Sequence, residues 1–382
     1  MQEHNVKLNE IELKNRIIKK DNVKFFKVIR KIIKYALKHP VDTYKSISYY
    51  NFKPNADFAI KADGGIGDIL RANVLLKAFY KSYPEITFDV FLNNPQLAPL
   101  LFGALPNVKN CHYEYFFHIF KKKYSAKMRI LQISQVLSID SKKVPTQILQ
   151  TRKKVNNWIE LYDKYKETCW REIINQATLQ GKDFLDVLGL TAGIEDMGDK
   201  KALLPALPPN PLKNKNYITF SSSSNPRDKI GEKATKCWPL QYWQQLITLI
   251  KKAYPDLEII QLGQKNATPV KNANTLFLGR TSLKEAASIL SESKLHLDCD
   301  CGNVHLAYAV GTKSLVLFGP TLATYVGYKD NINIQSQICN NCWHSTETWN
   351  TKCPLEYNDP VCMKSITPQQ VFSYIKTYLS AL

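Results

Sequence analysis

No stretch of about eighteen apolar residues occurs in this sequence, so it predicts no helix that crosses a bilayer. The opening residues, MQEHNVKLNE, are polar and lack the apolar segment and cleavage site of a secretory signal. We therefore expect a cytoplasmic protein whose cysteines are thiols or metal ligands rather than disulfides. Apolar residues make up 44% of the chain against 22% charged residues, which excludes a disordered protein. Its 382 residues suit two domains.

Acidic residues are scarce relative to basic ones. The chain has 33 aspartates and glutamates but 52 lysines and arginines, for a formal net charge of +19. This excess favours anionic partners: nucleotides, lipid phosphates, membrane surfaces or nucleic acid. Composition does not choose among them, although residues 1–50 are especially basic.

Within that basic segment, residues 22–38 (NVKFFKVIRKIIKYALK) predict an amphipathic helix that ends before Pro40. Two interpretations remain open. The helix lies on the anionic inner face of the cytoplasmic membrane, or it docks on the protein with its lysines in solvent. Its apolar stripe consists of Phe25, Phe26, Ile29, Ile32, Ile33 and Leu37.

From residue 57 the pattern changes to alternating strands and helices. Residues 57–62 (DFAIKA) predict a strand, a helix follows, and residues 86–92 (ITFDVFL) predict the next strand. This βαβ unit implies a parallel sheet. Residues 111–190 carry no readable motif and are predicted to be mostly helical.

The clearest linker is the proline-rich segment LPALPPNPL at residues 204–212. After it the βα pattern resumes, with strands predicted at 217–220, 257–262, 295–298 and 314–318 and helices at 239–253, 282–291 and 304–310. We predict two doubly wound α/β domains that bind ligands at the carboxyl ends of their strands. The predicted units are a helical N-terminal extension (1–50), a first domain with a helical insertion (51–204) and a second domain (213–382).

The first candidate site is the turn GGIGD at residues 64–68, between a strand and a helix. Its amides would suit an anion, but the third glycine of a dinucleotide fingerprint is absent. Asp68 stands at the helix start, where an aspartate commonly caps the helix and complements its dipole. From spacing alone, the cap is the simpler interpretation.

Two further candidate sites lie in the second half. A serine-rich loop (residues 221–224) precedes Lys236. Hydroxyls, loop amides and a lysine together are the groups that bind a pyrophosphate when no metal is present. The same stretch is equally typical of a surface loop that leads into a helix. In the turn DCGNVH, Asp300 would bind sugar hydroxyls beside the amides of a helix N-terminus. His305 follows inside that helix, where a packing role is also typical.

The cysteines of the C-terminal region form a cluster, CNNCWHSTETWNTKCPLEYNDPVC. Four thiols with one CxxC pair favour a tetrahedral site for structural zinc or iron, and His344 is a possible substitute ligand. Two disulfides or unpaired thiols are the alternatives. The four residues are Cys339, Cys342, Cys353 and Cys362.

The order GIGDIL, KCWPLQYW, QLG, LGRTSLKEAA and DCGNVHLAYAVGTKSLVLFGPT resembles glycosyltransferase family 9, the ADP-heptose:lipopolysaccharide heptosyltransferases. It covers roughly residues 57–100 and 216–380. The resemblance implies a GT-B fold, two Rossmann-like domains facing across a cleft. Cys301 stands where the family has serine or threonine, which removes a hydroxyl but leaves the backbone amide.

The resemblance also implies site roles. Asp68 would be the general base, Lys236 would hold the donor diphosphate, and Asp300 would hold the transferred sugar. The other donor-binding residues would be Ser221, Ser222, Gly263, Cys301, Gly302 and His305.

The function expected from this resemblance is inverting transfer of heptose from ADP-heptose, without a catalytic metal, to a lipopolysaccharide-core or related hydroxyl. One alternative is a protein O-heptosyltransferase acting on a surface adhesin. A second is a basic nucleic-acid-binding protein with a Cys₄ knuckle. The lack of a recognisable recognition module in the sequence argues against it. Expected partners are therefore a nucleotide-sugar donor and a glycolipid or protein acceptor, and not nucleic acid.

Overall fold

The chain folds around two separate β-sheets. The strands of the first sheet are β1 (Phe58–Ala62), β2 (Phe88–Leu92), β3 (Val108–Tyr113), β4 (Ala126–Ile130) and β5 (Ser134–Ile139). Those of the second are β6 (Tyr217–Phe220), β7 (Glu258–Gly263), β8 (Thr275–Leu278), β9 (His296–Cys299), β10 (Ser314–Phe318) and β11 (Ile332–Gln335). This computed structural model describes residues 29–41, 43–44, 56–119, 124–165, 170–222, 235–339, 341–357 and 360–382.

Helices cover both sheets. The helices of the first half are α1 (29–38), α2 (Ile66–Ser82), α3 (Ala98–Leu101), α4 (Phe116–Ile119), α5 (Thr146–Lys154), α6 (Asn156–Tyr165), α7 (Trp170–Leu179) and α8 (Phe184–Ala192). Those of the second half are α9 (Leu240–Ala253), α10 (Leu283–Ser291), α11 (Gly302–Ala309), α12 (Ala323–Val326), α13 (Val361–Ser365) and α14 (Pro368–Leu379).

Both sheets have a doubly wound strand order, which confirms the predicted fold class. The first runs β3-β2-β1-β4-β5 and the second β11-β10-β9-β6-β7-β8. All pairings are parallel except the antiparallel pair of β4 and β5. The strand order reverses between β1 and β4 and between β6 and β9, and ligands of such sheets bind at these positions.

The prediction that residues 111–190 are mostly helical is wrong in part, because β4, β5 and the second half of β3 lie there. In β4 a lysine interrupts the apolar pattern, yet Lys127 is 1% exposed. Its ammonium is satisfied internally, since it donates to the carbonyl oxygen of Phe117 at 3.0 Å and lies 3.8 Å from the centre of the Phe117 ring. Helices do follow from residue 146 onward.

The two halves contact each other through helices α2 and α11, whose N-termini each follow the carboxyl end of a strand. The proline-rich segment connects them and begins tied to α2. The buried side chain of Asn73 donates to the Leu203 carbonyl at 2.9 Å and accepts from the Leu203 amide at 2.8 Å. The predicted linker therefore begins directly after an anchored residue.

The described part of the basic N-terminal segment docks on the first half. Ile32 packs against an apolar cluster that contains Phe91, and Tyr35 stacks on Tyr113 with ring centres 3.8 Å apart. Ile33 and Leu37 are exposed, and residues 22–28 of the predicted helix lie outside the described part. Across the described residues, no helix combines the length and apolar character that a bilayer span requires.

Candidate functional site

The glycine turn after β1 holds Asp68 at the third position of α2. The Gly65 amide donates to Asp68 Oδ2 at 2.9 Å, so this carboxylate caps the helix, as spacing predicted. Gly64 has φ +102°, and a Cβ there would lie 2.2 Å from Asp68 Oδ2, so only glycine fits. The Asp68 side chain is 36% exposed. It can therefore cap the helix and still reach a ligand.

The turn before α11 packs directly against this glycine turn. A Cβ on Gly67 would lie 2.4 Å from Cδ2 of His305, and a Cβ on Gly302 would lie 3.4 Å from Cβ of Ile66. Gly67 thus permits the close approach of the two helix N-termini. The structure brings together the first-half and second-half site residues that the sequence predicted separately.

Lys236 and Asp300 form an ion pair at the carboxyl end of β9. Lys236 Nζ lies 2.5 Å from Asp300 Oδ2 and 3.4 Å from the Asp300 carbonyl oxygen. Burial works to raise the pKa of Asp300, but the charges of Lys236 and Arg71 and the hydrogen bond from Lys236 outweigh it. The net result lowers the pKa of Asp300 to about 2. Asp300 is therefore a buried anion matched by cations.

Arg71 is a site residue that the sequence analysis missed. It lies one helical turn after Asp68, with Nη1 3.3 Å from Asp68 Oδ1, and its guanidinium covers the Phe184 ring at 4.0 Å. The residue is 7% exposed. Because its charge also lowers the pKa of Asp300, this buried cation acts on the aspartates of both halves. In the sequence, the only indication of this role was the position of Arg71 three residues after Asp68 on the predicted helix, a spacing at which side chains can pair.

His305 is a neutral, hydrogen-bonded histidine. Its Nδ1 lies 2.7 Å from the Tyr328 hydroxyl, and it is 6% exposed. Burial and then the nearby Arg71 charge lower the pKa of His305 to about 3. Tyr328 in turn stacks on Tyr308 with ring centres 3.7 Å apart. The ring is therefore held in one orientation beside the Asp300 turn.

The thiol of Cys301 is used in a hydrogen bond within the protein. Its Sγ donates to Asp298 Oδ2 at 2.8 Å, while Asp298 also contacts His296 Nε2 at 3.2 Å. Both Asp298 and His296 are buried. Cys301 is the N-cap of α11, so the backbone amides at this helix start are the groups that suit a phosphate.

The remaining predicted donor residues lie at the same edge of the second sheet. Ser221 follows β6 and is 1% exposed, and its amide donates to the Leu297 carbonyl at 3.1 Å. Ser222 accepts from Gln261 Nε2 at 3.0 Å. The Gly263 carbonyl, at the end of β7, accepts from the Gly279 amide at 2.8 Å. Ser223 and Ser224 lie outside the described residues.

The four clustered cysteines line one small cavity. None of them is in a disulfide. Burial, and then the neighbouring thiols, raise the pKa of Cys342 to about 11 and that of Cys362 to about 12. In the described part of the chain, no group of three or more histidine, cysteine or acidic side chains is placed to hold a metal ion. His344 does not line this cavity; its Nε2 lies 2.7 Å from Gln132 Nε2.

The cysteine segment contacts the lysine of the candidate site. Thr235 donates its amide to the Asn350 carbonyl at 3.0 Å and its hydroxyl to the Trp349 carbonyl at 2.8 Å. Lys236 Nζ lies 5.6 Å from the centre of the Trp349 ring. The backbone that carries Lys236 is thus fixed by residues between Cys342 and Cys353, a link that the sequence did not indicate.

Comparisons with known proteins point to one family. The family model described as "Glycosyltransferase family 9 (heptosyltransferase)" matches residues 191–355. Lipopolysaccharide heptosyltransferase 1 of Pseudomonas aeruginosa is 26% identical over 165 residues, 38% of this chain and 45% of that protein. Lipooligosaccharide heptosyltransferase 2 of Campylobacter jejuni is 27% identical over 126 residues, 32% of this chain and 36% of that protein. The chain thus spans less than half the length of these relatives.

Solved structures match over more of the chain. The iron-containing dodecameric glycosyltransferase TibC from enterotoxigenic E. coli aligns with a TM-score of 0.59 at 14% identity, covering 85% of this chain and 76% of TibC. E. coli ADP-heptose lps heptosyltransferase II aligns with a TM-score of 0.50 at 14% identity, covering 85% and 99% of the two chains. These likenesses show the fold. The chain is thus similar to the heptosyltransferases of glycosyltransferase family 9 in the sequence of residues 191–355, and to these solved structures in its fold.

Proposed function

We propose that the chain is an inverting glycosyltransferase that moves heptose from ADP-heptose to an acceptor hydroxyl. One observation carries the proposal: the buried cation Arg71 contacts Asp68 of the first half, and its charge lowers the pKa of Asp300 of the second half. Two carboxylates influenced by one cation suit a reaction in which one carboxylate activates a hydroxyl and the other holds a sugar. The family match and the ADP-heptose complex of the structurally similar TibC support the choice of donor.

The donor would occupy the carboxyl edge of the second sheet. Gly263 would lie beside the nucleoside, with Ser221 and Ser222 close to the phosphates. Lys236 and the amides at the start of α11 would stabilise the departing diphosphate, because cations and preorganised amides favour the charge that develops on it. In the structure Lys236 is paired with Asp300. Donor binding would therefore share this lysine between the carboxylate and the diphosphate.

Asp68 would act as the general base. Its carboxylate is the partly exposed member of the pair and would take the acceptor proton as the acceptor oxygen attacks the anomeric carbon. Arg71 would hold this carboxylate in position through its contact with Oδ1. No catalytic metal is required in this scheme, since Lys236, Arg71 and the helix amides supply the positive charge. Activity in a chelator would test that point.

The test of the general base uses a matched control. Asp68→Asn removes the base together with a capping charge, whereas Glu285→Gln removes only a capping charge, because Glu285 Oε2 accepts from the Ser282 amide at 2.7 Å on α10. We expect Asp68→Asn to lower turnover at least ~100-fold with donor affinity kept. Glu285→Gln should leave turnover unchanged. Equal, small effects of the two variants would reduce Asp68 to a helix cap.

The acceptor is proposed to be a lipopolysaccharide-core or related glycan hydroxyl, by analogy with the names of the P. aeruginosa and C. jejuni relatives. A protein hydroxyl, such as one on a surface adhesin, is the alternative. Labelled heptose from ADP-heptose should appear in the lipid-extractable glycan fraction. Label found only in protease-sensitive material would instead establish the protein acceptor.

The cysteine cavity is proposed to hold a structural zinc or iron ion. Four thiols around one cavity are a donor set that suits either metal, and TibC is described as iron-containing. Binding would require the thiols to lose their protons and the sulfurs to move into ligating positions, because they do not form a metal site as placed. Elemental analysis of purified protein should find close to one equivalent of metal.

Contact with an anionic membrane remains a proposal for α1 and the turn that follows it. Ile33 and Leu37 on α1, and Val41 and Tyr44 after it, are exposed apolar side chains. Exposed lysines lie on the same helix. Binding to anionic vesicles that weakens with salt would support a cytoplasmic enzyme at the inner membrane face. Unchanged vesicle binding after deletion of residues 1–44 would contradict it.

A further inference from the structure

Lys236 lies in a short stretch of chain whose two ends are anchored to the C-terminal region. On one side, the Thr235 hydroxyl donates to the Trp349 carbonyl at 2.8 Å. On the other side, the indole nitrogen of Trp238 donates to the Ile366 carbonyl, directly after α13, at 2.8 Å. The backbone of this lysine is therefore held from both sides by the part of the chain that carries the clustered cysteines.

Thr235 lies between the cysteine cavity and the candidate site. It is 3% exposed and lines the cavity together with the four cysteines, whereas the next residue in the chain pairs with Asp300. Its hydroxyl and its amide donate to two successive carbonyls, those of Trp349 and Asn350. These two hydrogen bonds fix the side chain and the backbone of Thr235 together, and they fix the start of the Lys236 backbone with them.

Trp349 also contacts the other end of the lysine. Its ring centre lies 5.6 Å from Lys236 Nζ, which is within the range of a cation–π interaction. The His344 ring, centred 5.1 Å from that of Trp349, adds no competing charge, because burial and then the Lys236 charge lower the pKa of His344 to about 4. One residue therefore acts on the lysine backbone through Thr235 and on the ammonium through its ring.

Trp349 is itself packed against the first half of the chain. Its ring meets that of Trp343 edge-on with centres 6.4 Å apart, and Trp343 stacks on Trp170 of α7 with centres 6.3 Å apart. All three tryptophans are buried. Closely packed side chains of this size do not shift freely. The carbonyl that accepts from Thr235 is thus a fixed reference point for the lysine.

A lysine gains from such support because its side chain is a flexible four-carbon stem. The Lys236 side chain is 22% exposed, so its ammonium pairs with Asp300 and still has an accessible surface. An ammonium that is already held in place binds a diphosphate with a smaller loss of conformational freedom. Loss of the support should therefore weaken diphosphate binding although the charge is kept.

We propose that Thr235 is a positioning residue for the donor diphosphate: its hydroxyl, bonded to the Trp349 carbonyl, holds Lys236 where the ammonium meets the phosphates. The inference rests on the proposed function, since it takes Lys236 as the residue that binds the donor diphosphate. Thr235 acts through Lys236 and not on the donor itself.

Titration calorimetry with ADP tests this role. Thr235→Val removes the hydroxyl and keeps the shape of the side chain, whereas Thr235→Ser keeps the hydroxyl. We expect Thr235→Val to weaken ADP binding about threefold to tenfold, the effect of one lost hydrogen bond. Thr235→Ser should bind ADP as the parent does.

Thr312→Val is the matched control. The buried Thr312 hydroxyl donates to the Leu290 carbonyl at 2.5 Å, at the amino edge of the second sheet and so at the opposite edge from the site. This variant loses a comparable hydrogen bond, so its melting temperature should fall as that of Thr235→Val does. Its ADP affinity should equal that of the parent. A merely structural role of Thr235 predicts the same unchanged ADP affinity for Thr235→Val.

A second measurement does not depend on the donor. Acetylation of Lys236 by acetic anhydride, followed by mass spectrometry, reports how firmly the ammonium is held. Thr235→Val should be acetylated at Lys236 about threefold to tenfold faster than the parent, by the same loss of one hydrogen bond. Thr312→Val should be acetylated at the parent's rate.

The outcomes separate this inference from the proposed function. In a parent that binds ADP, unchanged affinity in Thr235→Val, an equal loss in Thr312→Val or a loss that Thr235→Ser shares would overturn the positioning role alone. In a parent that binds no ADP, faster acetylation in Thr235→Val would support the positioning of Lys236 and reject the proposed function. Unchanged acetylation in such a parent would reject both.

Discussion

The Lys236–Asp300 pair allows a prediction whose size follows from the structure. The pKa of Asp300 falls from an ordinary 3.8 to about 2, a difference of roughly 1.8 units. At about 1.36 kcal/mol per unit, the ionised carboxylate contributes about 2 kcal/mol to the free energy of unfolding. Because the pKa is lowered in the folded state, this stabilisation is present above pH 3.8. It is lost as the pH falls toward 2.

Lys236→Met should remove most of this contribution, because burial then dominates and the Asp300 pKa rises. We expect the parent to be more stable than the variant by at least about 2 kcal/mol at pH 7, with a difference that shrinks as the pH falls from the raised Asp300 pKa of the variant toward 2. Urea unfolding at several pH values measures it. Lys81→Met, which breaks the exposed pair with Asp196, is the control and should change stability little. A stability difference between the parent and Lys236→Met that does not depend on pH would show that the ion pair does not lower the Asp300 pKa.

Other predictions test the contacts between the halves, the role of Arg71 and the cysteine cavity. Gly67→Ala should lower the free energy of unfolding by about 1–3 kcal/mol, because the added Cβ would clash with His305. Gly65→Ala is the control, because a Cβ there meets open space, and chemical unfolding should show almost no change. Arg71→Lys should lower kcat more than donor affinity in steady-state kinetics, because the fork that contacts Asp68 is lost. Cys339→Ser should lower metal content and melting temperature together; full metal content in this variant would exclude Cys339 as a ligand.

The second sheet was largely predictable, because its signals are local. The strands at 217–220 and 314–318 were predicted at their observed bounds. The helix after Ser282 has the predicted cap, since Ser282 Oγ accepts from the Glu285 amide at 3.2 Å. Apolar strands bounded by turn residues, and helices that begin with a serine cap, can each be predicted from one short stretch of sequence. Strands β8 and β11, at the two edges of the sheet, were not predicted.

The first half was harder to predict because its signals depend on distant partners. Lys127 gives the β4 sequence a polar character, and its burial is explained by tertiary contacts such as the one with the Phe117 carbonyl, ten residues earlier. Arg71 reads as an ordinary helix residue until the fold places Phe184 against it.

Metal-independent heptose transfer is the activity that the proposed roles of Asp68 and Lys236 require. Labelled ADP-heptose would be incubated in excess chelator with envelope and protein fractions from cells that lack this chain, using the parent, Asp68→Asn and Glu285→Gln. We expect label in the glycan fraction with the parent and with Glu285→Gln, and at least ~100-fold slower labelling with Asp68→Asn. Label that appears only after a divalent metal is added, or equal labelling by Asp68→Asn and the parent, would contradict it.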